Sequence, residues 1–410
     1  MKPNGAIPLD YQAEDSMLLV GGERIDALIE RAGDTPLFVY DAAMLRARVA
    51  RLRAAMPADL AIHYAVKANP FAPVVELMAG LVDGLDVASA GEMMLALGAG
   101  GAAEAMSFAG PGKRDRELVA AIRAGVTINL ESAGEGDRAL VIGERLGIVP
   151  RLAVRVNPGF DLRGSGMRMG GGAKPFGIDD TEAGALIRRL IAAGADWRGL
   201  HIFAGSQALD PSAIAEAQAA TVALAARLAD EADAVPPLVN LGGGFGIPYF
   251  PGEVPLDIER IGVELAQTLD NRPQILAQSR FAIELGRWLV GEAGVYLTRI
   301  VDRKTSHGQI FLVTDGGLHH QLAASGNFGT VVRRNYPVAV ANRFGAPAVE
   351  EASVVGCLCT PLDRLADQVA LPLSQNGDVI AMFMAGAYGA SASPAAFLGH
   401  PPALEMLVGA

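Results

Sequence analysis

Ala61-Ile62-His63-Tyr64-Ala65-Val66-Lys67-Ala68-Asn69-Pro70 begins as an apolar strand and stops on a lysine, an asparagine and a proline. A run of this kind predicts a buried strand whose C-terminal end opens onto a polar rim. The same texture recurs at 84–88, 105–109, 126–130, 152–156, 199–204, 238–241 and 280–284, giving eight strands with the first at 61–66. Ala/Leu-rich amphipathic segments lie between most of them, at 73–79, 91–97, 115–124, 133–146, 181–193, 211–229 and 257–276. Asp115 and the Asp210-Pro211 pair are helix-start signals. Eight strands separated by helices over ~230 residues match a (β/α)8 TIM barrel, and an open doubly wound sheet is the competing α/β reading.

After Arg287 the texture changes. Segments 290–304, 309–314, 338–340, 352–355, 368–372 and 378–384 read as strands with few helices between them, so a second, mainly β domain is expected. Segment 37–40 reads as one more strand. The expected division is a barrel over 36–288 and a β-barrel or sandwich domain formed from 1–35 and 289–410.

Composition narrows the partners. The 410 residues carry 34 Lys+Arg against 45 Asp+Glu, a net charge of -11, with no basic run, which argues against nucleic acid or an anionic membrane surface. No stretch of ~18 uncharged apolar residues is present to span a bilayer. The N-terminus runs into Asp10, Glu14 and Asp15 rather than an apolar signal core. Cys357 and Cys359 are too close for an ordinary disulfide and too few for a zinc site, so a reducing cytoplasm and no metal are expected.

Polar and glycine residues gather at the strand ends. They are Lys67, Asn69 and Pro70 at the first, Asp86 and Ser89 at the second, and Arg155 and Asn157 at the fifth. Gly205-Ser206-Gln207 follows the sixth, Gly242-Gly243-Gly244 the seventh, and Glu284-Leu285-Gly286-Arg287 closes the eighth. Barrel enzymes build their sites on this rim and often hold phosphate after strands seven and eight. Successive glycines let backbone N–H groups approach an anion. Lys67 at a buried strand end is a lysine whose amine desolvation would make nucleophilic toward an aldehyde; a side chain reaching past the strand into water is the plainer alternative. A lysine and a phosphate cradle on one rim point to a phosphorylated aldehyde cofactor, pyridoxal phosphate.

The segment from Tyr64 to Pro70 resembles the cofactor-lysine motif of the fold-type III pyridoxal-phosphate decarboxylases, which include diaminopimelate, ornithine and arginine decarboxylases. The likeness continues in order through Asp86-Val87-Ala88-Ser89-Ala90-Gly91-Glu92, Arg155-Val156-Asn157-Pro158, Lys174-Pro175-Phe176-Gly177 and Gly205-Ser206-Gln207. It ends with Gly242-Gly243-Gly244-Phe245-Gly246, Glu284-Leu285-Gly286-Arg287, Cys359 and Gly386-Ala387-Tyr388-Gly389. By that resemblance Lys67 would bind the cofactor covalently, and Ser206, Gly242, Gly243, Gly244, Gly286, Arg287 and Tyr388 would hold its phosphate. Glu284 would pair with the pyridine nitrogen, the feature that separates these decarboxylases from the related alanine racemases, while Asp86, Glu92, Arg155 and His201 would orient lysine and ring. Cys359, contributed by the partner subunit, would protonate Cα after carbon dioxide leaves. Asp315 and Tyr388 would complete the composite site of a homodimer.

Two departures from the family pattern matter. Phe203 replaces the histidine that stacks on the cofactor ring, so it offers an aromatic face without a hydrogen bond, and His201 on the same strand face becomes the catalytic candidate. Thr360 follows Cys359 where diamine-type members carry an acid for the distal amine, although Asp363 stands close by. Gly316-Gly317-Leu318-His319-His320, Arg333-Arg334-Asn335-Tyr336-Pro337, Cys359-Thr360-Pro361 and Phe397-Leu398-Gly399-His400-Pro401 resemble a narrower branch. That branch acts on a glutamyl carrier protein in butirosin-type antibiotic synthesis, and similar decarboxylases accompany exosortase gene clusters. The likeness implies an aminoacyl substrate tethered to a carrier protein, with Arg333 and Arg334 meeting an acidic carrier surface or pantetheine phosphate. The expectation is a pyridoxal-phosphate-dependent amino-acid α-decarboxylase. Diaminopimelate decarboxylase of lysine biosynthesis is the enzymatic alternative, and a catalytically silent cofactor- or partner-binding homologue is the alternative of another class.

Overall fold

The computed structural model describes residues 2–326 and 334–409. It contains two compact units, one of Val49–Ile247 and Pro255–Gly286, the other of Met1–Arg48, Pro248–Val254 and Arg287–Ala410. The first unit carries strands β1 (Ala61–Ala65), β2 (Gly84–Val87), β3 (Met106–Phe108) and β4 (Thr127–Leu130). β5 (Arg151–Asn157), β6 (Asp196–Ile202), β7 (Leu238–Asn240) and β8 (Arg280–Leu285) follow. All pair in parallel with their neighbours in chain order, and Glu284 of β8 lies opposite His63 of β1. That last pairing closes the ring, so the fold is the eight-stranded barrel and not the open sheet.

Alternation sorts the side chains. His201 on β6 touches Glu284 on β8 past the intervening β7, so this face is the barrel interior. His63, Arg155, His201 and Glu284 occupy that polar interior, while Ile62, Tyr64, Leu200, Ile202 and Ile283 are buried on the outer face. Helices begin on reciprocal caps: Ser89 accepts from Glu92 N while Glu92 accepts from Ala88 N, and Ser132 with Glu135 repeats the device. Helices Asp115–Ala124 and Ala133–Leu146 end at left-handed Gly125 and Gly147, a backbone state that glycine adopts without steric cost. The helix expected over 257–276 is shorter, Ile258–Asp270, because Pro273 cannot continue it. No helix among the described residues is long and apolar enough to cross a membrane.

The second unit is mainly β. Its long strand Gly294–Ser306 pairs with Leu37–Asp41 and Val379–Met382 through its first half and with Gln309–Thr314 through its second. The register shifts between Ile300 and Asp302, where one sheet neighbour gives way to the next. Glu350–Val355, Arg364–Leu371 and Val338–Val340 extend the sheet, and Leu404–Val408 adds to Leu37–Asp41 in parallel. This differs from a barrel boundary at 36 and 288: Leu37–Asp41 belongs to the β unit, as do Pro248–Val254 and the short helix Arg287–Val290. The strand expected from 290 begins only at Gly294, since the apolar run Trp288-Leu289-Val290 is a buried helical turn, which periodicity cannot tell from a strand.

Candidate active site

β1 ends at Ala65 and the chain turns through Val66–Ala68, which lifts Lys67 off the strand line. Its side chain is 43% exposed, so the expected buried amine is instead a rim amine. The Nζ atom lies 3.5 Å from Glu284 Oε1 and 5.5 Å from the Phe203 ring centroid. The other oxygen of Glu284 stands 2.8 Å from His201 Nε2. Burial alone would raise the Glu284 pKa, but Lys67, the His201 contact and Arg155 outweigh it and hold the carboxylate far below its usual range. His201 Nδ1 is buried with no hydrogen-bond partner among the described residues.

The other barrel residues singled out from sequence fall into two neighbouring networks. Asp86 accepts from Ser107 Oγ and faces His63 Nδ1 at 3.2 Å, and Asn129 donates to Ser107 at 3.0 Å. Burial opposes a charge on His63, yet Asp86, Glu284 and Asp83 together raise its pKa. Arg155 donates to Glu131 at 2.7 Å and lies over the Phe176 ring, while Gly177 N also donates to Glu131. The Lys174-Pro175-Phe176-Gly177 motif is thereby explained in part as a clamp on that ion pair. Glu92 accepts from Ala88 N in its helix cap, and burial raises its pKa against the opposing charge of Lys67. Sequence reading missed His63, Ser107 and Glu131. Glu131 follows β4 as the other rim residues follow their strands, a signal that was available.

The glycine turn after β7 is tied on both sides. Glu284 N donates to Gly242 O, and Ala208 N, in the loop that follows Gly205 and Ser206, donates to Gly244 O. Gly242 and Gly244 have φ of 69° and 91°. A Cβ on Gly244 would lie 2.6 Å from Gly205 O, and one on Gly286 would lie 2.8 Å from Ala68 Cβ. Such close backbone approach, an amine, an ionised buried carboxylate and an aromatic face are the parts a phosphorylated pyridine aldehyde requires, so the residues present fit that cofactor.

In the β unit, Arg287 donates to the Tyr249 hydroxyl at 2.7 Å and lies 4.7 Å from the Tyr388 ring centroid. Its Nε is buried with no hydrogen-bond partner among the described residues. Cys359 is exposed. Asp363 is buried and accepts from Leu318 N at 2.6 Å and Leu358 N at 2.8 Å, so its oxygens face backbone. Asp315 accepts from Thr35, Thr298 and Arg299 N. Arg334 is exposed and stacks 3.7 Å from the Phe250 ring centroid. Arg333 lies outside the described residues.

Comparisons with known proteins agree with this geometry. A family model described as the pyridoxal-binding domain of pyridoxal-dependent decarboxylases matches residues 42–291. An L-glutamyl acyl-carrier-protein decarboxylase from Niallia circulans is 36% identical, across 93% of this chain and 90% of that protein. A diaminopimelate decarboxylase from Methanothermobacter thermautotrophicus is 31% identical over 95% of this chain and 90% of its own. The crystal structure of diaminopimelate decarboxylase from Helicobacter pylori complexed with L-lysine matches with a TM-score of 0.82 at 26% identity, covering 94% of each chain.

Proposed function

This chain belongs to the pyridoxal-dependent decarboxylases, and from that membership we propose that it removes the α-carboxylate of an aminoacyl group tethered to a carrier protein. It is an amino-acid decarboxylase that uses pyridoxal phosphate. Bound pyridoxal phosphate supplies a sink for the electron pair left at Cα when carbon dioxide departs. Lys67 would hold the cofactor's aldehyde end, and Glu284, held by His201 on one oxygen, would pair with its ring nitrogen. Phe203 would offer the ring an aromatic face. Gly243, Gly244 and Gly286 would offer backbone N–H groups to the phosphate together with Ser206, while the Gly242 N–H is held by Asn240 Oδ1 and shapes the turn. Arg287 and Tyr388 are proposed as further phosphate ligands on the family likeness. Asp86 and Arg155 act through His63 and Glu131 as positioning residues.

The observation that carries the reading is the one carboxylate of Glu284 facing Lys67 on one oxygen and His201 on the other. The tethered substrate is supported by two further facts. Thr360 is neutral where a distal ammonium would need an acid, and Asp363 already accepts two backbone amides. Cys359, exposed on the single chain, is proposed to donate its proton at Cα in a partner's site, which makes the homodimer the active form. Free thiols at 357 and 359 suit a reducing cytoplasm. Carbon dioxide release should be compared for a glutamyl carrier protein, free glutamate and diaminopimelate, with Lys67→Ala as the blank. Turnover of free diaminopimelate above that of the tethered substrate would refute the substrate assignment.

A further inference from the structure

Three segments that the decarboxylase reading leaves without a role meet in the β unit. They are Leu318-His319-His320, the Cys357 loop and Gly399-His400-Pro401. The donor atoms of His319, Cys357 and His400 all lie within 4.8 Å of one another. Both ring nitrogens of His400 stand 3.9 Å from Cys357 Sγ. His319 is 0% exposed, and neither of its nitrogens has a hydrogen-bond partner among the described residues. Buried polar atoms are normally partnered, and both nitrogens of this ring sit beside a thiol and a second imidazole without a bond to either.

We propose that His319, Cys357 and His400 bind a divalent cation of the zinc class, with a fourth position open to water. One thiolate and two imidazoles suit such a cation and disfavour magnesium or calcium, which take oxygen donors. Bond lengths of about 2.0–2.3 Å around a tetrahedral ion require donors roughly 3.3–3.8 Å apart, so closure asks for movement of about 1 Å. On binding, the Cys357 S–H bond breaks, its proton leaves to solvent, and sulfur donates to the cation; the two histidines bind as neutral rings.

The chain next to each ligand is already fixed. Asp363 accepts from Leu318 N, beside His319, and from Leu358 N, beside Cys357. His320 Nε2 donates to Pro401 O at 2.9 Å, beside His400, while its Nδ1 faces the Tyr296 hydroxyl at 3.1 Å. These bonds hold the backbone beside all three ligands. The sequence count of two cysteines passed over the site because its other donors are histidines 38 residues upstream and 43 downstream of Cys357. Cys359 lies two residues beyond Cys357, so a bound cation would also steady the loop that bears it.

The test is cobalt(II) titration of the full-length protein, stripped of metal and without substrate. Wild type should take up one equivalent per chain and show the visible bands of tetrahedral cobalt with a thiolate-to-cobalt charge-transfer band. Cys357→Ser should lose that band, and His400→Gln should weaken binding by more than the roughly 10–100-fold typical of losing an outer partner. Cys359→Ser should keep the band, and far-UV circular dichroism should show all variants folded. No stoichiometric uptake by wild type, an unchanged band in Cys357→Ser, or its loss in Cys359→Ser would each overturn the proposal. Because the readout needs no turnover, its failure is distinct from failure of the decarboxylase reading.

Discussion

Glu284→Gln separates charge from shape at the centre of the barrel. Glutamine keeps the side chain's size and an oxygen for the His201 contact, which spans 2.8 Å in the wild type. What disappears is the negative charge between that ring and Lys67 Nζ, 3.5 Å away. A hydrogen bond to a charged group contributes roughly 1.5–3 kcal/mol against about 1 for a neutral one, so this bond weakens by about 1 kcal/mol. The Lys67 side chain is 43% exposed, and solvent reduces its pairing to roughly 0.2–1 kcal/mol. Stability should therefore fall by about 1–2 kcal/mol, or roughly 1–4 °C in melting temperature. Catalysis should suffer far more, because removing one preorganised electrostatic group costs about 10²–10³ in rate. Carbon dioxide release at saturating pyridoxal phosphate and a thermal melt of the same sample read the two effects separately. A rate within about threefold of wild type would refute the assignment of Glu284 to the ring nitrogen, and a melting loss beyond ~10 °C would make the residue structural instead.

Thr360→Glu should raise kcat/KM for diaminopimelate by roughly 10–100-fold, the worth of one charge-assisted hydrogen bond, as measured by lysine formation. Lys67→Ala and Cys359→Ala chains, each inactive alone, should recover about a quarter of wild-type activity per chain when co-assembled, and no recovery would exclude shared sites. The melting temperature should also depend on pH with opposite signs at two sites. Glu131 and Glu284 have folded pKa values below their unfolded ones, so their stabilisation is present above about pH 4.3 and is lost as pH falls through the folded values. His63 has a raised folded pKa, so its contribution is complete below about pH 6.5 and is lost as pH rises from there through the higher folded value. A pH series of melts should show both limbs, with His63→Asn flattening only the upper one.

Buried parallel strands announce themselves as short apolar runs cut off by polar residues, which is why all eight barrel strands were legible. Closure was not, because the pairing of β8 with β1 is a contact between segments about 220 residues apart, which local pattern does not encode. Leu404–Val408 went unread for a similar reason: its strand partner is Leu37–Asp41 at the other end of the chain. The site divides along the same line. Lys67 and Glu284 stand out by position and type, whereas the commitment of Asp363 and Glu92 to backbone amides depends on where those amides point. His63 reads as part of an apolar strand until Asp86 is seen beside it.

The charges inside the barrel are not equivalent. Arg155 and Glu131 pair with side chains 9% and 3% exposed, and Lys113 and Glu135 with 1% and 4%. Breaking either pair would strand a buried charge at several kcal/mol, so neither parts without a large cost. Glu284 is equally buried, but its cation Lys67 reaches solvent. The other positive groups near Glu284 are His201, when protonated, and the more distant Arg155. If the cofactor's aldehyde engaged Lys67, a protonated ring nitrogen would be a replacement positive neighbour for this buried carboxylate. Lys67 and Glu284 are thus a pair whose cation can be engaged from solvent, beside two pairs whose members are all buried. A ligand reaching this rim could therefore replace Lys67 as the partner of Glu284 without disturbing the other two.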